Sequence, residues 1–242
     1  GALAGSIVLT QSLIGSVINR PSSPFVSGLA YDDPDPCGPG VWTRGIGGKA
    51  DSSGQITELN TSDLSFEGEI SADFYGLQAG GDLACFNGYF DGWDISIGGI
   101  GGFNTGTTSQ PVFGLEGNGL DGLVLGDTIT SVTDVDFDQT YAGLYVTGGF
   151  ERFCADLQYR LEQTDFVADN QGQNGSSGLG LDNSAFSSEA GTFSGSVSYA
   201  IPLGQTNFTF VPTGGFAYTE VSTDVIGFSD GSSVKVEDFT SE

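Results

Sequence analysis

Carboxylates at alternate positions are the first candidates for chemistry. In "TDVDFDQT" (133–140), Asp134, Asp136 and Asp138 stand two residues apart, so on an extended chain they share one face able to collect Ca²⁺ or Mg²⁺. The segment lacks the glycine and closing glutamate of an EF-hand loop, and solvated acid is the simpler reading. "DDPDPCG" (32–38) is a weaker version of the same pattern. In "ADLQYRLE" (155–162), Asp156, Gln158, Arg160 and Glu162 alternate with apolar residues. Paired carboxylates such as Asp156 and Glu162 can work as acid and base, but no nucleophile, elbow or orienting partner accompanies them. The chain has no histidine, which removes most catalytic triads and many zinc sites. "GGIGGFNTG" offers glycines without a basic residue for phosphate, in a strand context that does not suit a dinucleotide loop. No enzymatic activity, metal or cofactor is expected.

The elements that hold these residues are short on charge contrast and rich in glycine. The 242 residues include 40 Gly and 18 Phe but only 6 Lys plus Arg, and the net charge is −25. So acidic a chain is a poor partner for nucleic acid or an anionic inner-leaflet surface. No initiator methionine or basic leader precedes the first residues, so the chain looks like a mature piece or a fragment. No run of about 18 apolar residues exists, which argues against a transmembrane helix but says nothing against spanning strands.

Residues 3–18 put Ile7, Ile14, Val17 and Ile18 near one helical face with Gln11 and serines opposite, and Pro21 and Pro24 end the pattern. An irregular acidic linker is expected over 21–40. Strand signals follow at 41–50, 74–85, 93–103, 141–150, 153–162, 192–203 and 208–221, with an eighth beginning near Val234. Tight turns are expected at 86–92, 151–152 and 204–207, and long polar loops at 51–66, 104–135 and 169–187.

Folding "YAGLYVTGGFERFCADLQYRLE" (141–162) at Glu151-Arg152 opposes Phe150 to Phe153, Val146 to Leu157 and Leu144 to Tyr159. The other face pairs Thr147 with Asp156, Tyr145 with Gln158, Gly143 with Arg160 and Tyr141 with Glu162. The apolar side runs nine residues on each strand, near the 9–11 that a tilted strand needs to cross hydrocarbon. It then turns acidic in mid-strand. The expected orientation therefore turns Leu144, Val146, Phe150, Phe153, Leu157, Tyr159, Val197, Tyr199, Ile201 and Phe216 toward lipid. Arg44, Gln78, Asp82, Asp94, Asp156, Gln158, Arg160 and Glu162 line a wet lumen, because charge at a lipid midplane costs about 2–4 kcal/mol. A soluble β-sandwich with a solvated polar face is the alternative, and it predicts a monodisperse protein in buffer without detergent.

"GVWTRGIGGKADSSG" (40–54) resembles the first strand of an autotransporter β-domain, the translocator of type V secretion. "FYGLQAGGDL" (74–83) and "GWDISIGGIGGF" (92–103) resemble its second and third strands, and residues 210–242 its late Pro-Gly-Tyr strand with the loop beyond. The resemblance implies an all-β, antiparallel up-and-down transmembrane barrel of about twelve strands, roughly eight of them in this truncated stretch of 41–242. It implies that the helix over 1–20 threads the pore, and that an N-terminal passenger in cis is exported or anchored. It further implies outer-membrane lipid, the barrel assembly machinery and periplasmic chaperones as partners, and the bacterial outer membrane as location. Only Asn19, followed by Arg20, stands where some members carry paired asparagines for self-cleavage, so that activity is not expected. A self-contained outer-membrane barrel acting as porin, adhesin or anchor is the competing reading. Cys37, Cys85 and Cys154 are either small half-buried residues or one disulfide and a spare; Cys37 and Cys85, on neighbouring strands at the short-turn end, are the candidate pair in an oxidising compartment.

Overall fold

The computed structural model describes residues 37–58, 64–116, 124–173, 181–204, 208–228, 231–235 and 239–241. The helix expected over 3–18, with Ile7, Gln11, Ile14, Val17 and Ile18, lies outside these residues, as does the linker up to residue 36.

The described residues form strands β1 (Cys37–Glu58), β2 (Leu64–Phe90), β3 (Trp93–Glu116), β4 (Val124–Phe150), β5 (Phe153–Gly172) and β6 (Ser184–Tyr199). Shorter pieces follow: β7 (Ile201–Pro202), β8 (Thr209–Phe210), β9 (Thr213–Thr223), β10 (Val225–Gly227), β11 (Ser233–Lys235) and β12 (Phe239–Ser241). The protein is all-β and antiparallel. One sheet runs β1-β2-β3-β4-β5-β6-β9-β12 in chain order, while β7-β8 and β10-β11 are small hairpins between its later strands. β1 has no partner on its outer side among the described residues, so the expected closure into a barrel is not seen there.

Local chemistry explains the meander. Asp91 and Gly92 take φ of 55° and 91°, both left-handed, which matches the twist of a two-residue hairpin between Phe90 and Trp93. Glu151 takes φ 53° in the next such turn. From it the expected register follows pair for pair: Phe150 opposes Phe153, Val146 opposes Leu157, and Tyr141 opposes Glu162.

The strands are much longer than their sequence signals, and this corrects the three long loops. Of 51–66, 104–135 and 169–187, residues 51–58, 64–66, 104–116, 124–135, 169–172 and 184–187 lie in strands. Thr107, Thr108, Ser109 and Gln110 continue the β3–β4 ladder opposite Asp136, Val135, Asp134 and Thr133. Residues read as loop formers by type are held there by backbone pairing and by inward packing of every second side chain. The first strand also starts at Cys37, four residues inside the expected linker, and Val234 lies in the β10–β11 hairpin. The eighth strand of the sheet is Phe239–Ser241.

Glycines on the inward face make room for rings on the next strand. A Cβ on Gly102 would stand 2.5 Å from the Tyr141 hydroxyl, one on Gly98 2.7 Å from that of Tyr145, and one on Gly80 2.5 Å from Trp42. Gly106 admits Phe137 in the same way. Each of these four rings thereby fills volume beside a glycine that two side chains cannot share.

Candidate functional site, an outward apolar belt and an inward polar network

Alternation divides every long strand into two faces, and along the lower part they are reversed from those of a water-soluble sheet. Leu144 is 69% exposed, and Val146, Phe150, Leu157, Tyr159, Val197, Tyr199, Ile201 and Phe216 are exposed beside it, with Phe153 half-buried on the same face. The opposite face buries Gln78, Asp82, Gln158, Arg160 and Glu162, while Arg44, Asp94 and Asp156 are half-buried. The ten residues expected to face lipid thus share the more exposed side and the eight expected in the lumen the more buried one, which fixes their faces and not their surroundings.

The outward apolar residues form a slanted belt. It covers 75–83 on β2, 93–103 on β3, 142–150 on β4, 153–161 on β5, 193–203 on β6 and β7, and 208–218 on β8 and β9. Its upper edge descends across the sheet. Tyr75 opposes Thr105, which opposes Asp138, then Asp165 and Ser187, whose carbonyl accepts the amide of Asp224. Yet the edge on β9 is Tyr218. The first outward carboxylates (Asp73, Asp138, Asp165, Glu189 and Glu220) descend by the same amount. Six residues over five strand steps, at about 3.3 Å per residue and 4.8 Å between strands, tilts the strands by about 40° to the belt normal. A belt of 9–11 residues at that tilt is about 23–28 Å tall.

Above the belt the faces exchange character without any break in the ladder. Asp136, Asp138 and Asp165 now point outward, and Lys49 pairs with Asp73 at 2.7 Å. That hydrogen bond holds the Lys49 ammonium above its ordinary pKa; both groups are exposed, so it contributes little to stability. Inward, Phe74, Val135, Phe137, Phe166, Ala168, Leu181, Phe186 and Ile226 form the main apolar core, with Tyr141 at its lower margin. Phe74, Gly106, Phe137, Phe166 and Phe186 oppose one another in a single row across five strands. Phe166 and Phe186 stack at 5.0 Å.

Beneath that row lies a hydrogen-bonded layer. Arg160 donates through Nε to Glu162 Oε1 at 2.8 Å, and its Nη2 is 2.6 Å from the same oxygen. Thr192 donates to Glu162 Oε1 at 2.8 Å and Gln139 to Oε2 at 2.9 Å; Asn104 donates to Gln139 at 2.8 Å. The Arg160 guanidinium also sits 4.9 Å from the Tyr141 ring centre. Further down, Trp42 Nε1 donates to the Tyr145 hydroxyl at 2.9 Å, which donates to Asp82 Oδ2 at 2.8 Å. At the turn end Ser196 donates to Asp156.

Sequence reasoning did not single out Trp42, Asn104 or Gln139, and it placed Tyr145 and Thr192 on the polar face without giving them a role. Each has the parity of a neighbour that it did identify, so the alternation already carried the signal. Asp134, Asp136 and Asp138 share the outward face of β4, where Asp136 accepts a hydrogen bond from Thr107 at 2.8 Å. Among the described residues no group of three acidic or thiol side chains is arranged to hold a metal. Cys37 and Cys85 oppose each other on the β1–β2 ladder and are disulfide-bonded, and Cys154 is free and half-buried on the inward face. Comparison with protein-family models, with curated proteins and with solved structures finds no match to this chain.

Proposed function

We propose that this chain is the membrane-spanning β-domain of a bacterial outer-membrane protein, serving as the translocator and anchor of an N-terminal passenger. The observation that carries the reading is the slanted belt. Belt segments of nine to eleven residues per strand, every second side chain outward, match at about 40° the length and tilt of strands that cross a bilayer, and about 25 Å matches the apolar band of such barrels. Soluble monomers rarely expose contiguous apolar patches beyond a few hundred Å². Here the exposed aliphatic and aromatic side chains run across six consecutive strands and, Val167 apart, stop at a common slanted line of carboxylates.

The exchange of faces above that line supports the same orientation. Where lipid surrounds the sheet, apolar groups belong outside and polar groups inside; where water surrounds it, the reverse holds. The upper halves of β2 to β5 then project from the outer surface as a β-structured extension with its own core. Closure of the sheet into a barrel, by strands beyond those described, belongs to this proposal, because bilayers do not tolerate an unpaired edge. The function involves no bond chemistry: the domain holds the membrane and carries what is attached.

A second reading, a self-contained barrel acting as anchor or adhesin, is favoured by the packed interior, in which Arg160 is 0% exposed. An epitope fused before Gly1 separates the two. In cells making the full-length protein, surface labelling of that epitope supports the translocator. Periplasmic retention of it, with the protein still in the outer membrane, leaves the self-contained barrel. Recovery of the protein in the soluble fraction overturns both.

A further inference from the structure

We propose that the inward row of Phe74, Phe137, Phe166 and Phe186, completed by Ile226, is an apolar septum that shuts the interior to water and ions at its outer end. The inference rests on the membrane reading and adds to it a statement about permeability. Side chains at the turn end, such as Asp94, Asp156 and Ser196, are half-exposed, so water reaches the interior from that side. Burial tightens upward. Gln158 is buried, as is Arg160 in the hydrogen-bonded layer, and above them Phe137, Phe166 and Ile226 are at most 2% exposed.

The row differs in kind from the layer beneath. Arg160, Glu162, Gln139 and Thr192 are polar groups joined by hydrogen bonds, and water entering among them finds donors and acceptors. The aromatic row offers none. An ion stripped of water there meets no replacement ligand, and a constriction of this kind closes by dewetting. Its rings are also in register: Phe137 directly opposes Phe166, and Phe166 directly opposes Phe186, with 5.0 Å between the last two ring centres. Gly106, between Phe74 and Phe137, leaves the space into which the Phe137 ring leans. A row of rings in direct register crosses five neighbouring strands, β2 to β6, and runs oblique to the belt because the strands tilt; a core assembled only for folding has no need to align its members.

The test uses full-length protein reconstituted into phospholipid vesicles, with vesicle flotation and protease protection read alongside potassium flux. Wild type is expected to float, to be protected over the belt and to hold the gradient. The F137S/F166S variant is expected to float equally and to raise the flux by at least about tenfold, because serine hydroxyls wet the constriction. Where the double variant does not insert, the single variants F137S and F166S replace it, each with a smaller expected rise. Wild type that inserts but leaks as fast as the variants overturns the septum and leaves the membrane domain standing. Inserted variants as tight as wild type do the same. Wild type that does not float overturns the membrane reading and the septum with it.

Discussion

Replacing Leu157 by arginine puts the orientation of the belt at risk in a calculable way. Leu157 lies midway between Phe153 and Leu161, the two ends of the belt on β5, opposes Val146 and Gly195, and is 45% exposed. If this face meets lipid, an arginine at the centre costs about 2–4 kcal/mol, falling to about 0–1 kcal/mol near the interfaces. The central cost amounts to a loss of roughly 30- to 900-fold in the folding equilibrium. Leu161→Arg, at the rim, is expected to cost under about 1 kcal/mol, and Asp165→Arg, on the same face above the belt, under about 0.5 kcal/mol. If water covered the face, all three would fall within about 0.5 kcal/mol, as surface substitutions do. The assay is reversible urea unfolding from phospholipid vesicles, followed by the fluorescence of Trp42 and Trp93. A flat profile across positions 157, 161 and 165 refutes the reasoning.

Other perturbations probe the interior. Gly102→Ala sets a methyl 2.5 Å from the Tyr141 hydroxyl and from the Leu77 carbonyl, and should destabilise by about 1–3 kcal/mol; Gly45→Ala, which meets nothing within 4 Å, is the control in the same unfolding assay. Arg160→Ala leaves Glu162 buried without its cation and should cost about 3–5 kcal/mol, the loss being checked by the unfolding midpoint. Opening the Cys37–Cys85 bridge, which spans 48 residues, should cost up to about 4 kcal/mol by chain entropy. Thiol titration of the unfolded oxidised protein should find Cys154 alone, and finding three thiols contradicts the bridge.

How far the fold could be read from sequence depended on what marks each segment. The β4–β5 hairpin was legible because a two-residue turn fixes the register and alternation then assigns each side chain to a face. The same logic placed Arg160 and Glu162 inward and Leu144 and Tyr159 outward. The upper halves of the strands were not read, because Thr107, Ser109, Asp134 and Asp138 are loop-forming by type. Their alternation is nevertheless present with its phase shifted by one: Val135 and Phe137 are apolar at odd positions, whereas Ala142, Leu144 and Val146 are apolar at even ones. Reading "DVDFDQTYAGLYV" as one strand crossing from one surrounding to another recovers both halves. The septum depends on residues from several strands meeting in one register row, and no local pattern encodes that.

Nitroxide labels at positions 157 and 165 of the full-length C154S protein in vesicles compare the two halves of that face directly. The account predicts that the label at 157 collides with dissolved oxygen and not with a water-soluble nickel chelate, and that the label at 165 does the opposite. Equal access of the chelate to both positions would contradict it.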